Sequence, residues 1–482
     1  MEPLELESIV RHSRGRWVAT SPLPALSVAE LSTDTRALGN QSVFVALSGP
    51  NFDGHAFVSE ARHRGAVASI VQSSRLAELP PSGGPYIVVD EPLEALERLA
   101  RWNRERLSLS VIAVTGSVGK TSVKEFISTI LGGAHSVKSA PKSFNNRIGV
   151  AISILSAHPG TEVLVLEMGT SSPGEISHLS NLARPHRVVI TEIAPAHLDG
   201  LGDLDGIVKA KAEIFDGLVH GGSAFVRHGV HGFDLLAAKA RGPLLTFGWN
   251  KGDIAVTDCQ RVMLGHDAHD SLVSAEYGYH FTINGSENFL LPVPGRHNVL
   301  NAAAAIGVAR DLGMSWELIR SQLATCRLPP LRFQVTEQNG LVLVDDSYNA
   351  NPASMEAAIS EWESIEESDG TSSRVAVLGD MLEMGAESRR LHTEIGKRLL
   401  RSGARLVVTV GNDSRWIGEA CRNEGGHAET VHFASTSEAL PFLEKSLRSG
   451  DCVLFKGSRR IGLDSCVKAV REWACQNLAK ST

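Results

Sequence analysis

The sequence predicts an α/β protein of three units, and three observations carry that prediction. The chain has 482 residues, which at about 150 residues per domain is room for roughly three cores. Short apolar runs of strand type alternate with stretches of helical period, the pattern of parallel sheets covered by helices. The pattern breaks near residue 107, where a helical stretch gives way to a strand, and again at Leu328-Pro329-Pro330, which cannot continue a helix. The units expected are therefore 1–107, 108–328 and 329–482.

In the first unit, strands are expected at Val43 to Leu47, Val67 to Val71 and Tyr86 to Val89, separated by the turn clusters Gly49-Pro50-Asn51 and Pro80 to Pro85. Asp90 and Pro92 open a helix on which Leu93, Leu96, Leu99, Ala100 and Trp102 approximate one face. This is a small α/β domain. The middle unit carries the buried-strand runs Val111 to Val114, Val163 to Leu166 and Val188 to Ile190, which predict a parallel sheet. Beyond Pro330 come Leu341 to Val344, Val375 to Leu378, Leu406 to Val410 and Val453 to Phe455, each followed by Gly, Asp or Lys. They predict a second, doubly wound sheet with polar residues at its C-terminal strand ends, where ligands sit in such sheets.

Composition narrows the function. Lys plus Arg number 47 against 54 Asp plus Glu, a net charge of −7, so no global positive field exists to gather nucleic acid or anionic lipid. Any anionic ligand must be held locally. The acidic opening MEPLELESIV lacks an apolar signal core, and no run of about 18 apolar residues occurs; a cytoplasmic protein without membrane insertion is expected. The six cysteines stand singly, with no CxxC pair, and are expected to be reduced and mostly buried.

The strongest motif runs from the strand at Val111 to Val114 through Thr115-Gly116-Ser117-Val118-Gly119-Lys120-Thr121 into a helix whose Val123, Phe126, Ile127, Ile130 and Leu131 have helical spacing. Glycines let backbone N–H groups turn toward a polyphosphate, the helix N-terminus adds partial positive charge, Lys120 reaches the outer phosphates, and the Thr121 hydroxyl can ligate Mg²⁺. The usual first glycine of a P-loop is replaced by Val114, so the loop is a T-G-x-x-G-K-T variant. It predicts nucleotide binding without naming the reaction, since switches, kinases and ligases all use this device.

Two further positions point to the same sheet edge. Glu167 directly follows the strand at Val163 to Leu166, and His197 follows Val188 to Ile190 by a short loop. Asp205 to Leu218 reads as a helix carrying Lys209, Lys211 and Glu213. Residues two apart on a helix point in different directions, so at most one of the two lysines can face the site, and a solvated lysine is the ordinary outcome for each.

Taken together these segments resemble the Mur ligases, ATP-dependent amide-forming enzymes of peptidoglycan synthesis, over nearly the whole chain. The pieces in the first unit are Asp34-Thr35-Arg36, Phe44-Val45-Ala46-Leu47 and Asp53-Gly54-His55. The second adds the P-loop, Asn145-Asn146-Arg147-Ile148-Gly149, Glu167-Met168-Gly169, Pro173-Gly174-Glu175-Ile176, Ala196-His197-Leu198, the segment from Lys209 to Phe215, and Gly295-Arg296-His297-Asn298 with Asn301. The third adds DDSYNANP from Asp345, LGDMLEMG from Leu378, and Lys456-Gly457-Ser458-Arg459. The last two long segments point to the branch that adds D-alanyl-D-alanine to a UDP-N-acetylmuramoyl tripeptide, and the D-N-P-R signature of the diamino-acid-adding branch is absent.

The resemblance implies an N-terminal domain for the uridine diphosphate part of the substrate, a central ATPase domain, and a Rossmann-like C-terminal domain that brings the incoming amine. It assigns Thr35 and Arg36 to the uridine nucleotide, and Asn145 and Asn146 to the muramoyl peptide. Thr121 and Glu167 would hold a first Mg²⁺ and His197 a second. Lys211, fourteen residues after His197, would be carbamoylated, a change that needs a neutral amine and hence a depressed pKa. Thr115 to Thr121, Asn298, Asn301, Arg332 and Asp346 would bind ATP, with Lys120, His197 and Lys211 as the catalytic set. Partners implied are the tripeptide nucleotide and D-alanyl-D-alanine, with the protein as a monomer. At four positions the chain departs from the family's habit: Leu331 stands before Arg332 in place of Gly, Arg147 replaces an acidic or polar residue, Ala151 a Pro, and Glu192 an Asn. The competing readings are another amino-acid ligase of the superfamily, diamino-acid-adding or folyl-polyglutamate in type, and a regulatory nucleotide binder without chemistry.

Overall fold

The computed structural model describes residues 4–50, 52–141, 143–264, 277–365, 373–425 and 427–478. Asn51 of the first expected turn cluster lies outside them. Three sheets organise the chain.

The N-terminal sheet runs in the order Arg16–Val18, Tyr86–Val89, Ala66–Gln72, Ser42–Val45, Glu30–Ser32, parallel except at the Arg16–Val18 edge. The helix Pro92–Arg106 opens on Glu91, one residue after the expected Asp90, because the Glu91 carboxylate accepts the Leu93 N–H and Pro92 takes the first-turn position that has no use for an N–H. Leu96, Leu99 and Ala100 are fully buried.

This helix also ties the first unit to the second. Glu97 accepts two bonds from Arg147, at 2.7 and 2.8 Å, and a third from His178 Nε2 at 2.8 Å. Burial pushes the Glu97 carboxyl up, but the Arg147 and His178 hydrogen bonds outweigh it, and the net displacement is downward. A carboxyl lowered in the folded state contributes stability above its unfolded pKa and loses it as pH falls through the folded value. Glu97→Gln is therefore expected to cost about 2 kcal/mol at pH 7. In urea titrations the gap to wild type should close as pH drops through and below the usual carboxylate range; a gap independent of pH would contradict the charge assignment.

The central sheet has nine strands: Val137–Ser139, Val163–Glu167, Ser110–Thr115, Arg187–Ile190, Ser223–Arg227, Leu244–Trp249, Ile254–Met263, Tyr277–Ile283 and Glu287–Leu291, in that order. The expectation of a parallel sheet holds for the first seven and fails for the last two, which are antiparallel. Between those last two strands the cause is local: Asn284 and Gly285, at φ 52° and 71°, form a tight reverse turn whose twist suits a hairpin. In the P-loop strand Ser110–Thr115, Val111 and Ala113 face one core, and Ile112 and Val114 face the other, where the helices Lys120–Leu131 and Arg296–Asp311 pack. Its two neighbours are Val163–Glu167 and Arg187–Ile190, both parallel to it. Chain direction therefore delivers Glu167 and the loop after Ile190 to the same rim as the P-loop.

The third sheet runs Gln334–Gln338, Leu341–Asp345, Asp451–Lys456, Ser373–Gly379, Ala404–Val410, Glu429–Phe433. The four expected strands lie in it, parallel. The antiparallel edge Gln334–Gln338 and the parallel edge Glu429–Phe433 were not expected; both are half-exposed and carry weak apolar patterns. The joint before this unit holds Pro329 and Pro330, then Leu331 and Phe333, both in the left-handed region at φ 63° and 47°. The Leu331 N–H donates to Gln334 Oε1 at 3.1 Å, and its carbonyl accepts from Tyr348 N–H at 3.2 Å.

Four cysteines are buried, Cys259 is half-buried and Cys475 exposed. Among the described residues no helix is long and apolar enough to cross a membrane.

Candidate active site

The P-loop is held open by bonds from its own surroundings. Ser117 N–H donates to Glu192 O at 2.7 Å, Ser117 Oγ to Ala194 O at 2.8 Å, and Thr115 Oγ1 to Met168 O at 2.8 Å. Gly116 and Gly119 sit at φ 146° and 86°. A Cβ on Gly116 would lie 2.0 Å from Thr191 Oγ1, and one on Gly119 would lie 2.6 Å from Asn301 Oδ1. Gly116→Ala is thus expected to cost about 2 kcal/mol or more through the wrong φ and the clash. It should also weaken ADP binding measured by calorimetry; wild-type affinity in a stable variant would show that the loop tolerates the shift.

The loop opens into a cleft of about 610 Å³ between the central and C-terminal sheets. Ser117, Val118, Gly119, Lys120, Thr121, Asn145, Asn146, Glu167, His197 and Arg332 all line it, so ten of the expected site residues meet there. Thr121 Oγ1 donates to Glu167 Oε2 at 2.8 Å, and Asn145 Nδ2 donates to Glu167 Oε1 at 2.9 Å. Lys120 Nζ turns back to Gly116 O at 2.8 Å, and burial lowers its pKa against the pull of Glu167. Asn146 is committed in part to structure, its Oδ1 capping the helix Arg147–Leu155 through Gly149 N–H.

The helix that carries Lys209 and Lys211 corrects one expectation. It runs Leu204–Ala212 and tightens into a 3₁₀ turn at Glu213–Gly217, shorter than the Asp205 to Leu218 span read from the sequence. Lys209 is exposed, as an ordinary helix lysine is. Lys211 is not solvated: it is 1% exposed. Burial, and then the Lys120 ammonium, hold it well below its ordinary value. It lies behind the cleft wall, close enough to feel Lys120 and Glu167 and to be felt by His197.

His197 itself adopts φ 55° and bonds through Nδ1 to the Glu383 carboxylate. Burial lowers its pKa against that carboxylate. A second, smaller cavity adjoins the P-loop on the other side, lined by Gly119, Thr121, His297, Asn298, Asn301, Arg332, Asp346 and Lys456 among others. Asn301 Nδ2 donates to Asn298 Oδ1 at 2.9 Å, so the two asparagines share one face as their spacing predicts. Asp346 is already engaged by the buried Lys456 at 2.6 Å and by Phe333 N–H at 3.2 Å. Arg332 stacks its guanidinium over Tyr348 at 4.2 Å.

The site residues not brought here are Thr35 and Arg36. Thr35 is buried in the N-terminal unit, and Arg36 pairs with Asp34 at 2.7 Å with its side chain 83% exposed; neither lines either cavity. Residues that the sequence left without a role do line the cleft: Tyr348, Asn351, Glu383, Arg459 and Arg460. Tyr348 meets Ser143 Oγ, and Asn351 Nδ2 donates to Ser117 O at 3.4 Å. DDSYNANP and LGDMLEMG already contained three of the five.

Among the described residues no group of three or more His, Cys, Asp or Glu is gathered to hold a metal alone. What is present is a hydroxyl and a carboxylate side by side on Thr121 and Glu167, hard oxygen donors at a polyphosphate loop. That set suits Mg²⁺, which takes one or two protein oxygens and completes its shell with phosphate and water.

A doubly wound sheet with its phosphate loop facing a cleft closed by another α/β unit defines a nucleotide-binding enzyme of the P-loop class. Three segments match models of one family: residues 27–104 the Mur ligase family catalytic domain, 114–309 the Mur ligase middle domain, and 331–459 the Mur ligase glutamate ligase domain. The UDP-N-acetylmuramoyl-tripeptide–D-alanyl-D-alanine ligase of Bacillus subtilis is 35% identical over 92% of this chain and 93% of its own length. The Escherichia coli ligase of the same name is 33% identical, with 93% and 94% covered. A crystal structure of MurF from Acinetobacter baumannii superposes with a TM-score of 0.83 at 28% identity, covering 98% of this chain and 99% of that one. MurF from Thermotoga maritima in complex with ADP gives 0.75 at 27% identity, with 93% and 98% covered. The chain belongs to the Mur ligase family.

Proposed function

We propose that this protein is an ATP-dependent ligase that joins D-alanyl-D-alanine to a UDP-N-acetylmuramoyl tripeptide, giving the pentapeptide precursor of peptidoglycan. The observation that carries the reading is the end-to-end likeness to the Bacillus subtilis and Escherichia coli ligases of that name. The alternatives of a diamino-acid-adding or folyl-polyglutamate ligase are not favoured.

A carboxylate is a poor acyl donor because its leaving group would be oxide. In the proposed reaction the peptide carboxylate attacks the γ-phosphorus of ATP, ADP leaves, and the resulting acyl phosphate is opened by the dipeptide amine, which loses a proton as phosphate departs. Two anions must meet in the first step. Lys120 supplies a desolvated positive charge at the P-loop, and the backbone N–H groups of Val118 and Gly119 would hold the phosphates, that of Ser117 being spent on Glu192 O. Arg332, Asn298, Asn301 and Asp346 frame the nucleotide, and Asn145 and Asn146 face the peptide. Bound Mg²⁺ would neutralise phosphate charge, held by Thr121 and Glu167, with a second ion beside His197. Lys211 is suited to carry a carbamate there, because burial holds its pKa well below the ordinary lysine value and the modification would turn a nitrogen into a pair of oxygens. Thr35 and Arg36 are assigned to the uridine nucleotide. Division of the chain at 107 and 328 and a cytoplasmic monomer complete the reading.

The test is direct. Purified protein with ATP and Mg²⁺ should release phosphate only when both the tripeptide nucleotide and D-alanyl-D-alanine are present, with the pentapeptide seen by mass spectrometry. Release that depends on glutamate or a diamino acid in place of the dipeptide would move the protein to another branch.

A further inference from the structure

Glu361 is a carboxylate of the C-terminal unit, on the helix Pro352–Glu363, and is 5% exposed. None of its hydrogen bonds to the central unit belongs to the site described above. Its oxygens accept from Tyr277 Oη at 2.9 Å, from Tyr279 Oη at 2.9 and 3.0 Å, and from the backbone N–H of Arg296 at 3.0 Å. Tyr277 and Tyr279 lie on the antiparallel extension of the central sheet. Arg296 is the first residue of the helix Arg296–Asp311, whose own N-cap, Gly295, offers no side chain to its free N–H groups. The cap is supplied by another domain. A buried negative charge at the start of a 16-residue helix also meets the favourable end of its dipole.

That first turn leads straight to the nucleotide pocket. Asn298 Nδ2 donates to Pro294 O at 2.8 Å, Asn301 Nδ2 donates to Asn298 Oδ1, and Asn301 lies against Gly119 of the P-loop. We propose that Glu361 is a positioning residue that couples docking of the C-terminal unit to nucleotide affinity. When the unit is docked, the carboxylate fixes the start of the helix that presents Asn298 and Asn301. When it separates, two phenols and a helix N-terminus lose their common acceptor. The inference rests on the smaller cavity's being the nucleotide pocket.

Coupling is reciprocal, so the test reads both ends. Glu361→Ala should weaken ADP binding by about tenfold in calorimetry and raise the KM for ATP by a similar factor, while the Kd for the UDP-linked tripeptide stays as in wild type. Small-angle scattering of the nucleotide-free variant should show a larger radius of gyration, reversed by saturating ADP. Glu361→Gln keeps one carbonyl acceptor and should fall between the two. Wild-type ADP affinity in either variant, or equal losses toward ADP and the UDP-linked tripeptide, would overturn the coupling. If Glu361→Ala does not fold, the glutamine variant decides alone on the same two affinities. Failure of the wild-type protein to bind ADP would instead remove the nucleotide reading.

Discussion

Lys120→Ala should lower the rate of amide formation by about 10²–10³-fold or more and leave the fold in place. Both halves follow from geometry. Lys120 Nζ makes one bond inside the protein, to Gly116 O, and its charge is already disfavoured by burial, so removing it relieves desolvation as much as it loses contact. For the reaction the balance is reversed: the charge stands at the mouth of the phosphate loop, where two anions must be brought together away from water. Phosphate release and pentapeptide yield measure the rate, and circular dichroism with thermal melting measures the fold. Turnover near wild type in a folded variant would mean the charge is supplied elsewhere in the cleft.

Lys211→Ala should be as damaging, and it should respond to chemistry that Lys120→Ala does not. CO₂ adds only to a neutral amine, and the amine of Lys211, at 1% exposure, has its pKa held well below the ordinary lysine value, which favours that form. The product, an anion, is stable there only beside cations. Activity of the wild-type enzyme should therefore fall in CO₂-free buffer and return with bicarbonate. The alanine variant should regain part of its activity with formate or acetate, which return a carboxylate to the emptied space, and Lys211→Arg should gain nothing from either. Full activity in the alanine variant without added carboxylate would remove Lys211 from the mechanism.

What could be read from the sequence was what is local. The P-loop is a strand, a turn and a helix in unbroken succession, and its glycines, lysine and threonine stand where spacing puts them. Glu167 and His197 followed because one ends a parallel strand and the other comes a short loop after the next. The burial of Lys211 was not readable from helical period, since Lys209 and Lys211 differ only in which face meets a neighbour, and that neighbour comes from elsewhere in the chain. The resemblance to known ligases singled out Lys211 over Lys209, and what packing adds is that Lys211 is the buried one of the two. The hairpin Tyr277–Ile283/Glu287–Leu291 was missed although Asn284-Gly285 announces it, and the strand beside it, Ile254–Met263, breaks its alternation at a register shift between Thr257 and Gln260. Glu361 could not have been found at all: its partners lie 65 to 84 residues away, and they meet only when two units pack together.

The joint at Pro329 to Phe333 restricts the backbone angles open to the link between the central and C-terminal units. Two prolines fix their own φ angles and so remove two of the rotations the link would otherwise have. The torsional freedom falls on Leu331 and Phe333, which already occupy a narrow well that side-chain-bearing residues enter at about 1–2 kcal/mol each. A link made this way is stiff, with few preferred angles. Glycine at position 331 would enter the same well without that cost and widen the range of angles open to the link.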